Sequence, residues 1–456
     1  MTTSPSDDFI TGQGAGWRAG YLAGVMAERC RAGGGGGGSN PGSLLLGLLM
    51  EEWSGLFEAE ALPRMGPTSR AVLAQVNRAG RDAVRLSPSD LACAGRAVGV
   101  PLKVVDFVGS VGRLAWAKAN GCPWVARTCV HVAQGGDLEA LQWAREHGCP
   151  WDAGACWCAA LGGHLVVVEW LIVAGADVNY TSLRVGTTAL YVAAQNGHLN
   201  VVELLIDAGA DVDIARTDIG ATPLSIASNN GHIDVVARLV DAGADVNIAC
   251  TDTGDTPLLA AAVNGHTDVV ALLLTAPGVD VNTALTDTGA TPLYVAAQFG
   301  QTDVVARLIA APGVNVNQAL TADGATPLFA AAQKGHTDVV EWLLTAPGVD
   351  VNLANSIGAT PLYVAAQNGH TAVVALLTAA PGVNVNKART DDGATPLCAA
   401  AYNGHPDVVE RLLAAPGVDV NLGRWNGTTP LSGALARGHA EVAHKLRAAG
   451  ATEPHG

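Results

Sequence analysis

Twelve histidines and nine cysteines are the side chains of this 456-residue chain best suited to binding a metal or moving a proton. Their spacing argues against both. His164, His198, His232, His266, His336, His370, His405 and His439 recur every 34 or 35 residues, with one step skipped at Gly300-Gln301. If the structure repeats with the sequence, successive members lie about a helix diameter, ~10 Å, apart, too far to share an ion. Their expected role is a hydrogen bond across the turn between neighbouring units. Cys156-Trp157-Cys158 has the wrong spacing for a metal pair, no second pair accompanies it, and on a helix the two thiols splay apart. The glycine run 33–38 is not a phosphate loop, because no strand precedes it and no Lys-Ser/Thr follows. No Ser/His/Asp or Cys/His arrangement stands out. Neither a metal nor a cofactor is expected, and the chain is not expected to be an enzyme.

The units that position the histidines are themselves informative. A Thr-Pro-Leu-type motif begins at Thr188, Thr222, Thr256, Thr291, Thr326, Thr360, Thr395 and Thr429, and each is followed by Gly-His or its one exception. A period of this length with two short helical patterns inside it predicts a stacked array. In one unit, Thr291 can cap a helix whose first residue, Pro292, has no N–H to lose. Val295-Ala296-Ala297 keeps one face small so that neighbours approach. Gly300 suits the left-handed residue ending that helix. Thr302-Asp303 opens a second helix, with acid at its positive end. Val305, Leu308 and Ile309 form its expected buried stripe. Pro312-Gly313 then stops it, and Val314–Asn317 leads to the next unit.

These motifs resemble the ankyrin repeat. Val192-Ala193-Ala194-Gln195-Asn196-Gly197-His198 and Gly243-Ala244-Asp245-Val246-Asn247 fit the family's pattern closely. The resemblance implies an all-α repeat solenoid of paired antiparallel helices with β-turn fingers. The departure is length, since the usual repeat has about 33 residues. Five units carry a Pro-Gly-Val stop, as at Pro277-Gly278-Val279, and most have an extra residue before the capping threonine. Cys122-Pro123-Trp124 and Gly136-Asp137-Leu138 recur 27 residues later as Cys149-Pro150-Trp151 and Gly163-His164-Leu165. They resemble a short, Trp-rich variant without a developed finger. The array is expected over 103–456, with variant repeats at 103–181 and eight regular ones at 182–456. Arg437, Glu441, His444, Lys445 and Arg447 polarise the last repeat as a terminal cap requires.

Composition excludes several partners. The formal net charge is −15, so no basic stripe is available to release counterions from nucleic acid, and anionic membrane is disfavoured likewise. No apolar run approaches the roughly 18 residues of a membrane span. The start lacks the basic residues of a secretion signal, and the cysteines are odd in number and scattered, which points to a reducing cytoplasm or nucleus. Residues 1–43 read as a disordered Gly/Ser-rich leader, and 44–102 as helical. Leu62-Pro63, a polar turn, then Val72, Leu73, Val76 and Arg78 resemble the F-box, a module that docks onto cullin-type ubiquitin ligases. That resemblance implies an adaptor-docking surface on Leu62, Pro63, Val72, Leu73 and Val76. The other reading of this segment is a collar covering the array's end.

Three functions follow: a monomeric scaffold holding a protein partner on its concave face, a ligase substrate receptor, or a structural or decoy array without a fixed partner. In the ankyrin family, partners usually contact the finger tips and the two residues before Gly-His. Carried onto this chain, the finger positions include Asp218, Asp252, Asp287, Asp323, Asp391, Asp392 and Trp425. The pre-glycine positions include Gln298, Phe299, Gln333, Lys334, Gln367, Asn368, Tyr402 and Asn403. The aromatics Phe299, Tyr402 and Trp425 are the expected hot spots. The row of carboxylates suits a basic partner.

Overall fold

The computed structural model describes residues 109–119, 124–182 and 184–452. The leader at 1–43 and the segment 44–102, with Leu62, Pro63, Val72, Leu73 and Val76, lie outside these. Among the described residues there are twenty-one helices and no strand. A single helix, Val111–Ala119, is followed by ten consecutive pairs, from Ala126–Gln134 with Leu138–Glu146 to Pro430–Ala436 with Ala440–Ala448.

One repeat shows why the chain folds this way. The finger closes on itself as Gly289 N–H donates to Leu285 O at 2.8 Å and Leu285 N–H to Ala290 O at 2.9 Å. Thr291 then accepts the Tyr294 N–H at 3.2 Å, with Pro292 in the first turn of the helix Pro292–Phe299. Gly300 ends this helix at φ 73°, a left-handed conformation that a Cβ would disfavour. The second helix, Thr302–Ile309, follows. Its buried residues are Val304, Val305 and Leu308, whereas Ile309 is only half-buried. The expected stripe thus shifts by one residue. The helix is gripped both by its own first helix and by the second helices on either side, so two adjacent valines can both be covered.

First helices stack on first helices and second helices on second helices, giving two layers. The first-helix layer is packed more closely, because runs of small alanines are buried in it, as in Ala296-Ala297, Ala330-Ala331-Ala332 and Ala399-Ala400-Ala401. Unequal spacing of two layers curves the array, with the first helices on the inner side. The core is one unbroken row of small and medium side chains along the stack.

The eight histidines lace this layer together. Each donates Nε2–H to a backbone carbonyl of the preceding repeat: His164 to Gln134, His198 to Leu161, His232 to Gln195, His266 to Asn229, His336 to Gln298, His370 to Gln333, His405 to Gln367 and His439 to Tyr402, at 2.9–3.2 Å. The outer loops carry a second lacing. Asn317 Nδ2 donates to Gly348 O at 2.7 Å while its Oδ1 accepts from Asp350 N at 2.9 Å. Asn247, Asn282, Asn352 and Asn386 make the same pair of bonds to the next repeat.

Candidate interaction surface

The fingers are held in a row by backbone bonds between neighbours. Thr251 N–H donates to Ile219 O at 2.8 Å, Thr321 to Thr288 at 2.9 Å, Thr390 to Ile357 at 2.9 Å and Trp425 to Asp392 at 3.0 Å. Their tips form a fixed edge rather than independent loops. Phe299 ends an inner helix and is 41% exposed, and Trp425, on the last finger, is 71% exposed. Part of the Trp425 ring lies over the preceding finger, where a Cβ on Gly393 would come within 2.5 Å of Cδ1. Ile357, at 40% exposure, adds an apolar fingertip two repeats before Trp425 that sequence reasoning did not single out.

Tyr402 is placed differently from Phe299 and Trp425. Its ring is half-buried and carries two guanidiniums, with Arg424 Cζ 5.0 Å and Arg437 Cζ 4.1 Å from the centroid. Arg437 also donates to its hydroxyl. Since Arg424 belongs to a finger base and Tyr402 to the end of an inner helix, these contacts bring the finger row and the pre-glycine row within side-chain reach. Lys334 is exposed at the end of the inner helix Pro327–Lys334.

The carboxylates of the row are not equivalent. Asp218 is paired with Arg216 at 2.7 Å, Asp391 with Arg389, and Asp392 with Arg424 at 3.3 Å. Arg389 further donates to the Tyr363 hydroxyl at 3.2 Å, so this finger base is neutralised from within. Asp323 is half-buried and uses Oδ1 to accept the Ala325 N–H at 2.9 Å. Asp287 is exposed. Asp252, Asp255 and Asp287 lie close enough to interact electrostatically. Asp255 stands where other fingers have Ala221, Ala290, Ala325, Ala359 and Ala394.

Burial raises the Asp255 carboxyl above the ordinary aspartate range, and Asp252 and Asp287 add repulsion. The Thr253 hydroxyl, donating at 2.8 Å, offsets this only in part. A carboxyl with a raised folded pKa holds its proton more tightly folded than unfolded. Its ionisation therefore removes stability as pH rises from the ordinary aspartate range, about 4, through the folded value. Asp255→Ala is expected to melt higher than the parent at pH 7. The gain should shrink as pH falls toward the ordinary aspartate range and vanish below it, where the parent is protonated in both states. A gain independent of pH would show that the cost of ionising Asp255 is not its cause.

Cys156 and Cys158 offer no nucleophile here. Burial pushes the thiols of Cys156 and Cys158 up to about 11, which keeps them protonated at neutral pH. Among the described residues no group of three His, Cys, Asp or Glu could hold a metal ion, and no helix is long and apolar enough to cross a membrane.

A stack of helix pairs with laced turns and a fixed row of fingers defines a repeat protein whose working part is its surface. A family model of ankyrin repeats, three copies long, matches residues 129–217, 155–250, 224–319, 277–355, 293–389 and 362–453. Together these matches run from 129 to 453, and the chain belongs to the ankyrin repeat family. The family's repeats are in general non-enzymatic scaffolds for protein–protein interaction. No curated protein matches the chain. The F-box-like resemblance of the segment 44–102 finds no support in these comparisons.

Proposed function

We propose that this chain is a non-enzymatic scaffold that holds a protein partner along its finger edge and the adjoining ends of the inner helices. The observation that carries the reading is the exposure of Ile357 and Trp425 on a row of fingers fixed by backbone bonds, and of Phe299 at the end of an inner helix. Large apolar side chains on a preordered edge lose little entropy on binding, and aromatic ones are enriched at binding hot spots. The acidic stretch at Asp252, Asp255 and Asp287 favours a basic segment of the partner, whose charge would relieve the repulsion there and speed association. Asp255→Ala should then weaken the complex while stabilising the free chain.

The test is capture of the partner by the intact chain, its identification, and titration against variants. Phe299→Ala and Trp425→Ala are each expected to weaken binding by about 1–3 kcal/mol. Glu341→Ala, exposed on the second helix Thr337–Thr345, should leave it unchanged. Equal losses from Glu341→Ala and the two aromatic changes would refute the finger-edge assignment.

A further inference from the structure

We propose that Arg424 and Arg437, held on the ring of Tyr402, form a receptor for an acidic segment of the protein partner, whose Asp or Glu carboxylates bind the guanidiniums. This rests on the finger edge being the binding surface. It assigns the last repeats a charge preference opposite to that of the fingers at Asp252, Asp255 and Asp287.

Arg437 carries the argument. The guanidiniums at finger bases each have a carboxylate: Arg216 has Asp218, Arg389 has Asp391, and Arg424 has Asp392. Arg437 is exposed, and its partner among the described residues is Tyr402, through the ring face and the hydroxyl. Its position in the repeat is equally telling. The residue just before the glycine is asparagine in five repeats, and there its amide is taken up by a carbonyl. Asn196 donates to Val192, Asn264 to Ala260 and Asn403 to Ala399 within the helix. Asn230 donates to Gln195 and Asn368 to Gln333 in the preceding repeat. Arg437 replaces that bond with a fixed charge facing solvent.

The pair is also preorganised. The quadrupole of one tyrosine holds both cations, with Arg424 fixed further by Asp392 at 3.3 Å. A planar guanidinium already immobilised can take a carboxylate by two parallel N–H···O bonds at reduced entropic cost. Trp425, next in sequence to Arg424, is largely exposed. The chain's net charge of −15 repels anions at long range, but at physiological salt that field is screened beyond about 8 Å, so the local groups decide: Arg437 on Tyr402, and Arg424 shared with Asp392.

The experiment uses the full chain and a dye-labelled oligoglutamate peptide, followed by fluorescence anisotropy at physiological salt. Saturable binding is expected. Arg437→Gln and Tyr402→Ala should each weaken it by about tenfold, the scale of one charge-assisted contact, with the fold checked by circular dichroism. Arg411→Gln removes the same charge from the exposed side of the second helix Pro406–Leu413 and should change affinity less than about twofold. No saturable binding by the parent, or an equal loss from Arg411→Gln, overturns the receptor. The two readings fail separately. If the partner is captured through Phe299 and Trp425 while oligoglutamate does not bind, the receptor alone falls. If oligoglutamate binds with the stated pattern while Phe299→Ala and Trp425→Ala leave capture intact, the finger-edge assignment alone falls.

Discussion

Leu293→Ala is expected to cost about 2–5 kcal/mol of unfolding free energy, as other buried leucine truncations do. Leu293 is 1% exposed in the inner helix Pro292–Phe299, where it packs within a layer of first helices from adjacent repeats. The surrounding alanines cannot grow to fill the space, and the backbone on either side is fixed by the caps and the turn lacing, so the cavity should collapse little. Thr291→Ala removes the acceptor of the Tyr294 N–H and should cost less, on the order of 1 kcal/mol. Because stability in an array is close to a sum of repeat and interface terms, the leucine change should also weaken coupling across its position. Urea unfolding followed by circular dichroism would then show a broader transition, or two, where the parent has one. A threonine change more damaging than the leucine change would reverse the assignment of core and cap.

How far the fold could be read from the residues depends on the distance over which each feature is decided. Thr291, Pro292 and Gly300 act within one turn of helix, and their roles follow from local backbone chemistry. The histidine slot was legible too, because a recurrence with no metal-sharing geometry leaves a bond to the neighbouring repeat as the natural use of the ring. The buried face of the second helix was read one residue out of place. Helical periodicity describes a helix covered from one side, and Val304 with Val305 is covered from two. The asparagine lacing went unread although Val-Asn recurs in nearly every repeat. Its two bonds reach a glycine carbonyl and an amide about thirty residues away, a pairing that exists only once the stack is built.

The interaction surface was legible to a lesser degree. Phe299 and Trp425 stand out as aromatics in slots otherwise filled by polar residues, and both are exposed. Tyr402 shared that signal, yet it is half-buried as a platform for Arg424 and Arg437. Nothing within its own repeat announces those partners, which come from the next finger and the next inner helix. The same holds for the aspartates. Asp218, Asp391 and Asp392 look alike in sequence to Asp252, but arginines two or more residues away in the finger row have already claimed them.

Removing residues Thr429–Gly456 is expected to make the chain aggregate. The last pair, Pro430–Ala436 with Ala440–Ala448, buries Leu431, Ala434, Val442, Ala443 and Leu446 against the preceding repeat. Its exposed residues include Arg437, Glu441, His444 and Arg447. Lys445 fastens the cap to Glu410 of the repeat before, as Arg437 does to Tyr402. Without this pair, the apolar faces of the helices Pro396–Asn403 and Pro406–Leu413 meet water. That surface is shaped to accept another ankyrin repeat, so the nearest available cover is a second molecule. The nearest-neighbour coupling of the exposed repeat is lost as well, so its helices should fray at lower temperature than the rest. Size-exclusion chromatography with light scattering, read beside thermal melts, separates the two effects. The truncated chain should elute as larger, concentration-dependent species and begin to melt earlier. A truncated chain that stays monomeric and melts with the parent would mean that the last repeat is not the cap.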